Sequence, residues 1–147
     1  MVVQSPYLRL PEIYLSYAEA LNEVNGGPTP EAYEYINKVR NRVDLGDLPA
    51  GLSQEEFREA VIRERALELG FENVRWFDLV RWKKKEVFTK TLYGMNIYRN
   101  NDGTFRYEQF ELPERYWKNN FSPKWYLSAF PDNEVNKNYG LIQNPGW

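Results

Sequence analysis

Between Ser53 and Gly70 the chain reads as a helix with apolar residues on two opposite sides and two glutamates set inside one of them. Phe57, Ala60, Val61 and Leu67 share one face, Glu64 and Glu68 fall in its middle, and Ile62, Ala66 and Leu69 form a second arc nearly opposite. Such a helix needs neighbours on both flanks, so it is expected at the centre of a helical assembly. Its carboxylates need cations, because unpaired buried charge is strongly unfavourable. Candidate cations stand close in sequence: Arg63 and Arg65 on the same helix, Arg75 and Arg81 on the next. Asp78 lies three residues from each of the latter two, a spacing that permits side-chain pairing.

The surrounding punctuation is helical too. A first helix is predicted from Leu10-Pro11, with Pro11 where its missing N–H costs nothing and Ile13, Tyr17, Ala20, Leu21 and Val24 on one face. Asn25-Gly26-Gly27-Pro28 ends it. Thr29-Pro30-Glu31 caps a second helix running to about Val43, with an apolar stripe of Ala32, Ile36, Val39 and Val43. Ser53-Gln54-Glu55-Glu56 forms a capping box ahead of the third helix. A fourth is predicted from about Asn73 to Lys85. Leu10 to Val43 and Ser53 to Glu86 each span 34 residues. Two helical hairpins of that size, at about 9–43 and 53–86, suggest a mainly α, tetratricopeptide-like stack.

Past Leu92 the character changes. Residues 92–147 hold 13 of the 24 aromatics and 9 Asn, so a loop-rich tail with a few short strands or helical turns is predicted. Asn100-Asn101-Asp102-Gly103 is a turn signal, and Thr104–Leu112 partly alternates. A segment so rich in rings is expected to wrap the helices as part of one domain, 1–147.

Composition closes off several chemistries. Without histidine or cysteine there is no imidazole acid–base group, thiol nucleophile, disulfide or Cys/His zinc site. Nothing implies a cofactor or another metal. A net charge of −2 gives no drive toward nucleic acid, and Lys83-Lys84-Lys85 reads as a solvated helix end. No apolar run approaches the ~18 residues of a membrane span, which predicts a soluble piece.

Glu64 and Glu68 admit two readings. Paired carboxylates serve glycoside hydrolysis, where one must be protonated. Alternatively, with Arg63, Arg65, Arg75, Asp78 and Arg81, they form a structural ion network. The surplus of arginine opposes a protonated acid and favours the network. For sugar binding the candidates are Tyr116, Trp117, Trp125 and Tyr126, interleaved with Lys118, Asn119, Asn120 and Lys124. A ring offers an apolar face to a pyranose while amide and ammonium groups bond its hydroxyls. The competing reading, that these rings simply pack on the helices, is the commoner fate of aromatics.

Ile62-Arg63-Glu64-Arg65-Ala66-Leu67-Glu68-Leu69-Gly70-Phe71-Glu72, followed by Arg75-Trp76-Phe77-Asp78-Leu79-Val80-Arg81-Trp82, resembles the signature of the SusD/RagB family. That signature typically reads R-x-E-R-x-x-E-L-x-F-E-G-x-R-W-F-D-L-x-R-W. The stretches Arg9–Asn22 and Ile36–Arg42, then Tyr93-Gly94-Met95-Asn96 and the closing Gln143-Asn144-Pro145-Gly146-Trp147, resemble other family segments in order. Two departures stand out. Asn73-Val74 replaces a usual Gly-His, and Phe130-Pro131-Asp132 keeps one proline of a usual Pro-Ile-Pro.

The resemblance implies a non-catalytic, surface-exposed outer-membrane lipoprotein of Bacteroidetes that binds a glycan or other nutrient and lids a SusC-like TonB-dependent transporter. It covers only the C-terminal portion of such a protein. Met1 is therefore expected to be an artificial start, with the lipidated cysteine, further helix pairs and most known sugar-stacking positions outside this chain. The alternative is a tetratricopeptide-like protein-interaction scaffold with no sugar ligand.

Overall fold

The computed structural model describes residues 7–113 and 116–147; the side chains of Tyr116 and Trp117 lie outside the description. The fold is mainly α, and the chain divides into two compact units, 1–77 and 78–147.

The first unit holds three long helices. Helix α1 (Leu10–Val24) carries its proline in the first turn, α2 (Pro30–Asn41) follows a five-residue turn, and α3 (Gln54–Glu68) follows a longer linker. The predicted caps form. Thr29 Oγ1 accepts from the Ala32 amide at 3.1 Å. Ser53 Oγ accepts from the Glu56 amide at 3.3 Å, and Glu56 Oε2 accepts from the Ser53 amide at 2.8 Å. Leu15, Ala18, Ala32, Ile36, Val39, Phe57 and Val61 make the core, with Tyr14, Leu21, Tyr33 and Leu52 packed around it.

Side-chain contacts fix the helix directions. Asn22 at the end of α1 donates to the carbonyl of Gln54 at the start of α3 (3.0 Å), whereas Arg9, before α1, reaches Glu68 at the end of α3. These two helices are antiparallel. Tyr33 meets Phe57 edge-on at 5.1 Å near the beginnings of α2 and α3, and Arg42 meets Glu68 near their ends. So α2 and α3 run in the same direction, and the linker between them must travel back along α2. It is tied there by Asn37 Oδ1, which accepts from the Leu48 amide at 3.0 Å, and by the Tyr33 hydroxyl, which accepts from the Leu52 amide at 2.9 Å.

The buried side of α1 differs from the predicted one. Leu15, Ala18 and Asn22 are enclosed, whereas Ile13, Tyr17 and Val24 are 47%, 40% and 84% exposed. Both sides of α1 are apolar, so periodicity alone does not choose. The side carrying Ala18 faces α2 and α3, where a small residue permits close approach. Val43 lies beyond the end of α2 and is half exposed, although its stripe partners are buried.

The fourth helix is shorter than its pattern suggests. It spans Arg75–Arg81 (α4), crosses the boundary between the units, and stops where Lys83 takes φ +53 and the Lys84 amide bonds the Leu79 carbonyl at 3.0 Å. A separate turn of helix, α5 (Lys85–Thr89), follows. Ahead of α4, Asn73 takes φ +63. This is the left-handed region glycine favours, and asparagine is among the few other residues that visit it readily. The asparagine in place of the family's glycine therefore keeps the turn.

In the second unit the predicted turn joins β1 (Tyr93–Arg99) to β2 (Phe105–Glu111) in an antiparallel hairpin, with Tyr93 opposite Glu111 and Arg99 opposite Phe105. Asp102 Oδ1 accepts from the Thr104 amide and hydroxyl at 2.9 and 2.7 Å. Helix α6 (Tyr116–Asn120), a 3₁₀ turn (Pro123–Tyr126) and α7 (Asp132–Val135) complete the chain. No helix among the described residues is long and apolar enough to cross a membrane.

Candidate functional site

Two clusters hold the residues that the sequence singles out. The first surrounds the glutamates of α3. Glu64 is 5% exposed and pairs with Arg40 of α2. Glu68 pairs with Arg9 at 2.9 Å through one oxygen and with Arg42 at 2.6 Å through the other. Arg9 also spans Glu72 with two hydrogen bonds, of 3.0 and 2.6 Å, and bonds the Glu68 carbonyl at 2.9 Å. This shared hydrogen bonding holds the Glu72 carboxyl below its ordinary pKa and raises that of Arg9.

The arginines nearest in sequence go elsewhere. Buried Arg65 donates to Ser16 Oγ at 2.9 Å and reaches the Glu12 carbonyl, tying α3 to α1. Arg75 reaches the Ile62 carbonyl at 3.4 Å. Arg81 pairs with buried Asp78 at 3.0 Å, three residues away as the spacing predicts. Arg63 is exposed. It lines, with Leu45, Leu48, Ala60, Leu67 and Glu64, a cleft of about 470 Å³ beside α3. Arg9, Arg40 and Arg42, which hold the two glutamates, were not among the predicted partners. They lie 59, 24 and 26 residues from them, so the antiparallel packing of α1 on α3 brings Arg9 to its partner and the parallel run of α2 and α3 brings Arg40 and Arg42 to theirs. The one usable signal is that Arg40 stands 11 residues after the Thr29 cap, as Glu64 stands 11 residues after the Ser53 cap.

The second cluster lies in the tail. Trp125 meets Trp147 edge-on at 5.0 Å, and the Lys124 ammonium sits 4.3 Å from the Trp147 ring centroid. The Trp147 indole N–H donates to the carbonyls of Lys124 and Leu127 at 3.1 and 2.9 Å. Tyr126 joins Phe121 at 5.2 Å, and Phe121 stacks on Phe88 at 5.6 Å. The Tyr126 hydroxyl donates to the Lys83 carbonyl at 2.8 Å. Burial raises the pKa of that hydroxyl. Of the four predicted sugar-stacking residues, Trp125 and Tyr126 are thus half-buried among other rings. Tyr116 and Trp117 fall at the start of α6, their side chains outside the described residues.

The SusD family model matches residues 3–147, and the chain belongs to that family. SusD-like protein P2 of Formosa agariphila is 43% identical over 95% of the chain. Among solved structures, a SusD-like protein from Bacteroides fragilis superposes over 96% of the chain with a TM-score of 0.79 and 31% identity. A SusD-like protein from Bacteroides vulgatus, described as carbohydrate binding, superposes over 92% with a TM-score of 0.62 and 25% identity. The chain spans about a quarter of the length of the first two, 25% of each, and 29% of the third.

Proposed function

We propose that this chain is part of a non-catalytic protein that binds a glycan or other nutrient on the cell-surface side of the outer membrane and hands it to a SusC-like TonB-dependent transporter. The observation that carries this reading is family membership over nearly the whole chain, together with a carbohydrate-binding relative of the same fold. In this reading Glu64 and Glu68 are scaffold: each is held by arginine from another part of the chain, so their carboxylate oxygens join segments of the fold.

Within the chain, the sugar would meet the tail. Trp147 keeps 41% of its surface exposed beside the Lys124 ammonium, so an apolar ring face and a hydrogen-bond donor stand together. Trp125 sets the angle of that ring, and Tyr116 and Trp117 extend the same ring-rich segment. Calorimetric titration of the full-length protein with a panel of polysaccharides tests the reading. Binding should weaken at least tenfold in Trp117→Ala and Trp125→Ala. Unchanged affinity in both variants removes the tail from the site, and absence of binding across the panel favours the other reading, a helical interaction scaffold. What supports that alternative is the packing of Trp125 and Tyr126 against other rings of the chain.

A further inference from the structure

The cleft beside α3 has one feature that packing does not account for. Glu64, only 5% exposed, gives one oxygen to Arg40, and its other oxygen has no partner among the described residues. That oxygen is not sealed in. Glu64 lines the cleft of about 470 Å³, so the cleft is where the oxygen meets solvent. Arg63 lines the same space, exposed and without a hydrogen bond or ion pair among the described residues. Leu45, Leu48, Ala60 and Leu67 supply an aliphatic wall. A smaller cleft of about 220 Å³ adjoins, sharing Arg40, Leu45, Glu64 and Leu67. The walls are held in place: Arg40 Nε donates to the Gly46 carbonyl at 2.9 Å, so the guanidinium that holds Glu64 also holds the linker.

We propose that this cleft is a sugar subsite of the helical unit, distinct from the tail residues, that takes an uncharged pyranose through two neighbouring hydroxyls. Glu64 accepts from one hydroxyl, Arg63 donates to the other, and the C–H face of the ring lies on Leu45 and Leu67. The inference rests on the nutrient-binding reading above and gives it a second location. The charge of the cleft selects the ligand. Glu59 and Glu64 oppose an anion, and Arg40 and Arg63 oppose a cation. A neutral ligand that both donates and accepts satisfies the buried acceptor and the unpartnered donor together, and a vicinal diol does so. Size agrees. Ligand pockets run from about 300 to 1,000 Å³, and Glu59 to Leu67 covers about 12 Å of helix, room for one or two rings. An extended peptide fits poorly, because its backbone groups need a strand edge and this cleft is walled by a helix and a linker.

The test uses the full-length protein and calorimetric titration with dextran, xylan and galactomannan, which are uncharged, and with alginate and polygalacturonate, which are acidic. Arg63→Ala removes an exposed donor without disturbing the core, and Ala60→Phe fills the cleft. Hydrogen exchange is followed over residues 40–48 and 59–67. The expected result is binding of an uncharged polysaccharide that slows exchange in both segments. Arg63→Ala should weaken it about tenfold, as loss of one charged hydrogen bond predicts, and Ala60→Phe at least as much. Wild-type affinity in Arg63→Ala, with no slowing of exchange, overturns the cleft and leaves the nutrient-binding reading standing. Binding of the acidic polymers alone, lost in Arg63→Ala, overturns the uncharged ligand. Absence of binding across the panel overturns both. A last control needs no sugar: Arg63→Cys should react with a maleimide in the native protein, and failure to react means that the cleft is covered, which also overturns the proposal.

Discussion

The guanidinium of Arg9 donates to the Glu68 carboxylate across 2.9 Å, joining the residue that precedes α1 to the last residue of α3. The same arginine holds Glu72, so one side chain secures the end of α3 and the turn that follows it. Arg9→Ala should cost about 1.5–3 kcal/mol, the range for hydrogen bonds to charged groups, since Glu68 keeps Arg42. Urea unfolding measures it; Arg9→Lys should recover only part, because an ammonium does not reproduce the bidentate fork.

Arg75→Ala is a contrasting case. From sequence, Arg75 reads as the partner of a buried acid, whose loss costs about 3–5 kcal/mol. In the structure it reaches the Ile62 carbonyl at 3.4 Å. The expected loss is therefore about 1 kcal/mol. A loss above 3 kcal/mol would put a buried carboxylate back at its side.

The response to pH follows from the carboxylates held by donors. Arg58 donates to both oxygens of Glu23 at 2.7 Å and keeps that carboxyl below its ordinary pKa; Ser53 does the same for Glu56, and Lys137 for Glu134. A group whose pKa is lower folded than unfolded contributes stability above the unfolded value, about 4.3 for glutamate, and loses it as pH falls through the folded one. The melting temperature should fall steadily below about pH 4.5, and Glu23→Gln should flatten part of that fall. Between about pH 6 and 8 it should stay level, because there is no histidine to titrate.

How much of this was legible in the sequence depends on the range of the interactions. The caps at Thr29 and Ser53, the Asn100–Gly103 turn and the Asp78–Arg81 pair all rest on groups within four residues of each other, and they form as read. The partners of Glu64 and Glu68 were not legible. They depend on the linker returning along α2, which no local spacing encodes. The buried side of α1 was obscured by its second apolar stripe, and the break in α4 by a lysine at positive φ, a position that carries no sequence signal. In the tail, the turn was visible but the fit of its rings was not.

That fit shows at Gly94, which faces Phe110 across the hairpin. A methyl group there would lie 2.5 Å from Phe110 Cζ. Gly94→Ala should push the ring aside and destabilise the hairpin by about 1 kcal/mol, within the range of cross-strand pairs. Hydrogen exchange at the β1 and β2 amides should accelerate. Adding Phe110→Ala should remove the difference between glycine and alanine at position 94.

Arg40 with Glu64 is the pair that decides whether the acids of α3 are structural, with side chains only 17% and 7% exposed. The most direct measurement is a double-mutant cycle read by urea unfolding. Arg40→Met alone should cost about 3 kcal/mol by stranding a buried carboxylate, and Arg40→Met with Glu64→Leu should recover most of that loss. Single variants that each lose under 1 kcal/mol, with no coupling between them, would contradict the structural role and leave Glu64 free for chemistry in the cleft it lines.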